Sequence, residues 1–189
     1  GDGIIEYGIS AIYADDLASN AGATYLFSRD MLMDGAISLS DVPQFHGTIE
    51  AEQSGFRISG AGDFNGDGLG DMLIGSPNYD GVGTDSGRTF LVYGGSTSPS
   101  LDDAAQIWYG EADDDNAGEH LHHMGDINGD GLGDVLIVAF KNDTTHNNAG
   151  AAYGILGGEE QGSFELATES SFIVYGATSN DYIGRGGAR

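Results

Sequence analysis

The stretch Asp63-Phe64-Asn65-Gly66-Asp67-Gly68-Leu69-Gly70-Asp71 recurs as Asp126-Ile127-Asn128-Gly129-Asp130-Gly131-Leu132-Gly133-Asp134. Side-chain oxygens stand at loop positions 1, 3, 5 and 9, glycine stands at position 6, and the main-chain carbonyl of Leu69 or Leu132 is available at position 7. A hard cation that takes about six to eight oxygens is served by this spacing, and the glycine permits the sharp turn that folds the donors around it. Position 12, where a helix–loop–helix calcium site carries a bidentate Glu, holds Ile74 and Ile137, and strand-like runs follow. A lone Asp-Gly pair is an ordinary hairpin turn. Two nine-residue matches instead predict calcium loops, with Asp63, Asn65, Asp67, Leu69 and Asp71 as ligands in one and Asp126, Asn128, Asp130, Leu132 and Asp134 in the other. Water is expected to finish each shell, and Ca2+ suits the loop better than the smaller, more rigidly hydrated Mg2+.

Working outward, Gly-Asp-Gly appears at residues 1–3, 66–68 and 129–131, at offsets of 65 and 63 residues. Gly22, Gly87 and Gly150 open apolar runs in the same register, and Asp15, Asp80 and Asp143 keep it too. Such coincidence at a fixed spacing marks a repeat. The chain divides into three tandem units, 1–62, 63–125 and 126–189. In the first unit Asp2 and Glu6 offer only part of a loop, a half-site. Each unit carries short β-branched and aromatic runs bounded by Gly, Asp, Asn and Ser, such as Met72-Leu73-Ile74, Val135-Leu136-Ile137-Val138, Ile107-Trp108-Tyr109 and Ile173-Val174-Tyr175. These are strand signals. The expected fold class is all-β, with three tandem antiparallel blade-like repeats of the β-propeller type, as a partial propeller or an array.

Composition narrows the partners. Asp plus Glu number 30 against 6 Lys plus Arg, a formal net charge of -24. Such a field repels phosphate backbones and anionic bilayers, so neither nucleic acid nor membrane insertion is expected. With 39% hydrophobic residues in strand-like runs, the chain reads as folded rather than disordered. Its acid would be neutralised by bound cations or tolerated in a saline medium, which favours an extracellular or cell-surface location. No cysteine is present, so disulfides contribute nothing. Gly1-Asp2-Gly3 does not look like a translation start, and the chain is read as a mature or excised piece of a longer precursor.

The segment Ser54-Gly55-Phe56-Arg57-Ile58-Ser59-Gly60-Ala61-Gly62-Asp63, continuing through Asn65-Gly66-Asp67-Gly68 to Asp71-Met72-Leu73-Ile74-Gly75-Ser76-Pro77, resembles the FG-GAP repeat of integrin α-subunits. Gly55-Phe56 reverses the Phe-Gly element, and Gly75-Ser76-Pro77 stands for Gly-Ala-Pro. The third unit has Val138-Ala139-Phe140 there and the first has Ser10-Ala11-Ile12, departures that bear on ring geometry more than on metal binding. The resemblance implies propeller blades with calcium loops on one rim, the metal being structural and non-catalytic. Three units are too few for a propeller of about four to eight blades. Other copies of the chain, or the rest of a longer repeat chain, are therefore the expected partners, with a cell-surface protein or glycan as further possibilities.

No nucleophile and base constellation and no phosphate-cradling loop stand out, so no enzyme activity and no catalytic residues are expected. His120, His122 and His123 suggest a transition-metal site, but in a strand the third points away from the other two, and a polar strand face is the better reading. Asp113-Asp114-Asp115 suggests a further calcium site, but a solvated acidic loop is the better reading. Trp108, Tyr109 and Tyr175 fit blade-interface aromatics, while exposure of Trp108 and Tyr175 would support an alternative glycan-binding propeller, a lectin or an accessory part of a polysaccharide-active enzyme. The leading expectation is an extracellular calcium-binding adhesion or structural module that mediates protein contact or self-assembly.

Overall fold

The computed structural model describes residues 6–28, 31, 36–184 and 186. The fold is nearly all-β and is built from three sheets in chain order. The first holds β1 (Glu6–Ala11), β2 (Ala23–Ser28) and β3 (Gln44–His46), in the order β1-β2-β3. The second is built on β4 (Arg57–Gly62), β5 (Asp71–Ser76), β6 (Arg88–Val92) and β7 (Gln106–Tyr109). The third unit supplies β8 (His120–Gly125), β9 (Asp134–Ala139), β10 (Ala151–Ile155), β11 (Gly162–Glu165) and β12 (Phe172–Tyr175). Its sheet runs β12-β10-β9-β8, all pairs antiparallel. β11 leaves its own unit and pairs in parallel with β7, extending the second sheet. Short helical pieces include one turn, α1 (Leu166–Glu169), and two 3-10 turns, Leu39–Asp41 and Leu101–Asp103.

The sheets are stacked face to face, which explains why the strand runs are apolar on both sides. In β5, Leu73 faces the third sheet and packs with Phe64, Leu91 and Trp108 against Leu121, Val135, Ile137 and Tyr153. Its neighbour Ile74 faces the first sheet and packs with Phe90, Val92 and Ile107 around Phe45. A period-2 pattern between two partners leaves no solvent face to mark with polar residues. Close stacking also sets the glycines. A Cβ on Gly75 of β5 would lie 2.0 Å from the Gly118 carbonyl oxygen, so this position accepts no side chain.

Both loop-bearing hairpins are entered through a bulge. The β4–β5 register shifts between Gly60 and Gly62, and the β8–β9 register shifts between His123 and Gly125. Gly62 and Gly125 have φ of 73° and 77°, the left-handed region that favours glycine. The bulges turn β4 and β8 into their acidic loops at the same point. The sheet boundary is offset from the sequence repeat, because β4 precedes the second loop yet pairs with β5, which follows it.

Candidate cation loops

The two nine-residue loops fold in the same way. In the second unit Asp63 Oδ2 accepts from the Gly68 N–H at 3.0 Å, and Asn65 Oδ1 accepts from the Asp67 N–H at 3.0 Å. Asn65 Nδ2 donates to Asp67 Oδ2 at 2.9 Å, and Asp67 Oδ1 accepts from the Leu69 N–H at 2.7 Å. In the third unit Asp126 Oδ2 accepts from Gly131 N–H, Asn128 Oδ1 from Asp130 N–H, and Asp130 Oδ1 from Leu132 N–H, at 2.8, 3.0 and 2.8 Å. Positions 1, 3 and 5 are thereby gathered on the inside of each turn. Hydrogen bonds from Asn65 and the Leu69 N–H hold the Asp67 carboxyl below the usual carboxylate range. The Leu132 N–H and Asn128 do the same for Asp130.

Position 9 plays a second part. Asp71 is buried at the start of β5, where Oδ2 accepts from the Phe64 and Asn65 N–H groups and Oδ1 from the Gly94 N–H. Asp134 accepts likewise from Ile127 and Gly157. Both oxygens of each carboxylate thus tie the loop to the sheet. Burial pushes the Asp71 carboxyl up, against the opposing pull of those three N–H donors. Asp63 differs from its counterpart. Its Oδ1 is buried with no hydrogen-bond partner, whereas both oxygens of Asp126 are engaged. An orphaned carboxylate oxygen inside a ring of oxygen donors suits a hard cation. Among the described residues no group of three or more His, Asp or Glu side chains is drawn together tightly enough to hold a metal by itself. Asp2 lies outside the described residues, and of Glu6 only the backbone, in β1, is described.

The loops also touch each other. Gly133 N–H donates to the Asp63 carbonyl at 2.8 Å and Gly158 N–H to the Phe64 carbonyl at 2.9 Å. Leu132 lies over the second loop, and a Cβ on Gly66 would be 2.9 Å from its Cδ2. The second-unit loop is therefore braced against the third blade.

The other sequence candidates have structural roles. His120 and His122 share a face of β8, with buried Leu121 on the other. The His120 ring meets Phe140 edge-on at 5.8 Å, and His123 lies against Gly62. Trp108 is 5% exposed, stacks on Phe164 at 4.6 Å and donates from Nε1 to Gln106 Oε1. Tyr175 is partly buried against the same core. Asp113 accepts from the Thr84 N–H, and Asp115, expected in solvent, is buried instead. The register residues Asp15, Asp80 and Asp143 each accept the N–H five residues on, at Asn20, Asp85 and Asn148, all of positive φ.

Sequence reasoning missed the charged groups at the sheet junctions. Between the first and second sheets, buried Glu52 accepts from Arg88 Nε at 2.8 Å, and the guanidinium lies over the Tyr79 and Phe90 rings. Between the second and third, Asn142 donates to both buried Asp115 and Glu111, and the Tyr153 hydroxyl donates to Glu111. Only the rarity of Arg in so acidic a chain marked Arg88 out.

Stacked antiparallel hairpins, two of them turning through a bulge into an acidic loop, have the form of blades of a partial β-propeller. Residues 55–92, which span β4, the second loop, β5 and β6, match the FG-GAP repeat family. The chain is similar to integrin alpha-4 of Xenopus laevis, 33% identical over 120 residues. That alignment covers 61% of this chain and 11% of the relative, so the chain spans a small part of that protein's length.

Proposed function

We propose that the chain is an extracellular or cell-surface module of integrin-α-like repeats, in which calcium bound at the two acidic loops stiffens the blades for contact with further repeats, other copies or a partner protein. The observation that carries this reading is the buried, unpartnered Asp63 Oδ1 inside a loop with calcium spacing. Asp63, Asn65 and Asp67, with the Leu69 carbonyl, would hold one ion, and Asp126, Asn128, Asp130 and the Leu132 carbonyl the other. Asp71 and Asp134 would join from beneath through lone pairs their N–H partners leave free. Bound calcium would neutralise carboxylates crowded at the loop and crosslink the bulge to the strand. The role is proposed to be structural and non-catalytic.

The likeness to integrin alpha-4 and the acid excess support an extracellular setting. Among the described residues no helix is long and apolar enough to cross a membrane. The glycan reading asked for exposed Trp108 and Tyr175; Trp108 is buried and Tyr175 is partly buried against the same core, which favours the protein-contact reading.

Calcium titration by calorimetry tests the assignment. The native chain should bind an ion at each loop, Asp63→Asn should abolish one binding event, and Asp126→Asn the other. Unchanged binding in both variants would refute the loop assignment.

A further inference from the structure

The junction between the second and third sheets contains a second kind of polar cluster, at residues away from the acidic loops. Its logic is clearest beside the equivalent junction one repeat earlier. Shifted by 63 residues, Thr48, Glu52, Tyr79, Arg88 and Phe90 become Glu111, Asp115, Asn142, Ala151 and Tyr153. Arg88 opens β6 and Ala151 opens β10, at matching places in their sheets. In the earlier junction a fully buried carboxylate, Glu52, is neutralised by the Arg88 guanidinium, with Nη2 at 2.6 Å and Nε at 2.8 Å from Oε2. There Asp102 also lies 3.7 Å from Nη1 of the same guanidinium. In the later junction the guanidinium is missing and Glu111 stands in the place of Thr48.

What holds the two carboxylates is a set of neutral donors. Asn142 Nδ2 donates to Asp115 Oδ2 at 2.8 Å and also to Glu111 Oε1. Tyr153 hydroxyl and Thr144 hydroxyl donate to the same Glu111 oxygen, at 2.7 and 3.0 Å. Asn142 Oδ1 is fixed by the Thr144 N–H, so the amide cannot turn its oxygen toward the acids without losing that bond. Asp115 is 1% exposed and the Ala112 N–H also draws on its carboxyl, but Oδ1 is enclosed in this junction with no hydrogen bond of regular geometry. Asp143 adds a further negative charge nearby. A buried, orphaned carboxylate oxygen beside a second carboxylate, with no cationic side chain among the described residues bonded to either, is costly unless a positive charge joins it.

We propose that Asp115 and Glu111 form a separate site for a hard, oxygen-seeking cation, taking the place that the Arg88 guanidinium fills in the preceding junction. Asp115 Oδ1 and the second oxygen of Glu111 supply the charge, the Tyr153 and Thr144 hydroxyls lie within the same cluster, and water completes the shell. Glu111 is only partly buried and gives the entry side. The ion would pin the β7–β8 connection to the turn after β9, locking the two sheets together where the earlier junction uses an ion pair.

The test counts calcium ions per chain by equilibrium dialysis with 45Ca, in the native protein and in the Asp115→Asn and Glu111→Gln variants. Each variant should lose one ion, or at least tenfold in affinity for it, while the events removed by Asp63→Asn and Asp126→Asn persist. Failure of the loop assignment would change only those latter events, so the two readings fail separately. Unchanged counts and affinities in both junction variants would overturn the proposal and leave a shared proton as the neutralising charge. Should Asp115→Asn not fold, Glu111→Gln, altered at the exposed side of the cluster, decides alone.

Discussion

Arg88 and Ala151 occupy the same repeat position, and that difference governs how the buried carboxylate beside each is neutralised. Removing Arg88 leaves Glu52 0% exposed and bonded only to the Thr48 and Ile49 N–H groups. Arg88→Ala is expected to cost about 3–5 kcal/mol in urea denaturation, the usual penalty for stranding one member of a buried pair. A loss below about 1 kcal/mol would mean that solvent reaches Glu52. Asp115 is held the other way. Burial, with the negative charge of Glu111 and Asp143, pushes its carboxyl up to about 6 despite the Asn142 hydrogen bond. The raised value means the native state binds the extra proton, so this group's contribution is full below about pH 4 and is lost as pH rises through about 6. In chelator, native protein should lose stability relative to Asp115→Asn across that window. Parallel pH profiles would contradict the burial of a titrating carboxyl. These charges were illegible in the sequence because their partners lie 36 residues apart for Glu52 and Arg88 and 42 apart for Glu111 and Tyr153, with no local spacing to mark them.

At the scale of elements, the hairpin and its loop are one device. The positive-φ glycine makes the bulge, position 9 staples the loop to the strand, and in the second unit the residue after position 1 plugs the blade interface, whereas Ile127 of the third is 51% exposed. In the second unit that plug is Phe64, 1% exposed between the second and third sheets. Phe64→Ala should cost about 3–5 kcal/mol and loosen the second loop with it. A thermal melt unshifted by the substitution would show that Phe64 is not buried in solution. The loops were legible because every donor falls within nine residues and glycine marks the turn. The strands of the second and third units were legible from their β-branched runs. β11 was not, since Gly162-Ser163-Phe164-Glu165 has no alternation and finds its parallel partner β7 in another unit. The buried role of Asp115 was hidden by a run of three acids that reads as solvated, and Trp108 was read correctly as core because its neighbours were already apolar.

The whole molecule is a stack with two end faces. On the first sheet Tyr7 and Ile9, two apart in β1, are 46% and 56% exposed, and on the third Phe172 and Val174 of β12 are 37% and 45% exposed. Each pair shares one side of its strand, the geometry of a blade face awaiting a neighbour. Under the proposed module reading these faces meet further blades, from other copies or from a longer chain. Light scattering in calcium should then give a mass above the 19.6 kDa of one chain, and Val174→Lys should return it to that value. A native chain that stays at 19.6 kDa at high concentration would rule out assembly with its own copies. Calcium should also stabilise the whole stack. At about a hundredfold over its dissociation constant each ion contributes about 2.7 kcal/mol, so chelation should lower Tm by roughly 5–10 °C per site for a chain of this size.

Hydrogen exchange read by mass spectrometry, with and without calcium, tests the central claim most directly, because it reports on the loops themselves. Peptides spanning residues 63–71 and 126–134 should exchange more slowly when calcium is added, and Asp63→Asn should abolish the change in the first peptide alone. Identical exchange of both peptides with calcium and with chelator would contradict the account.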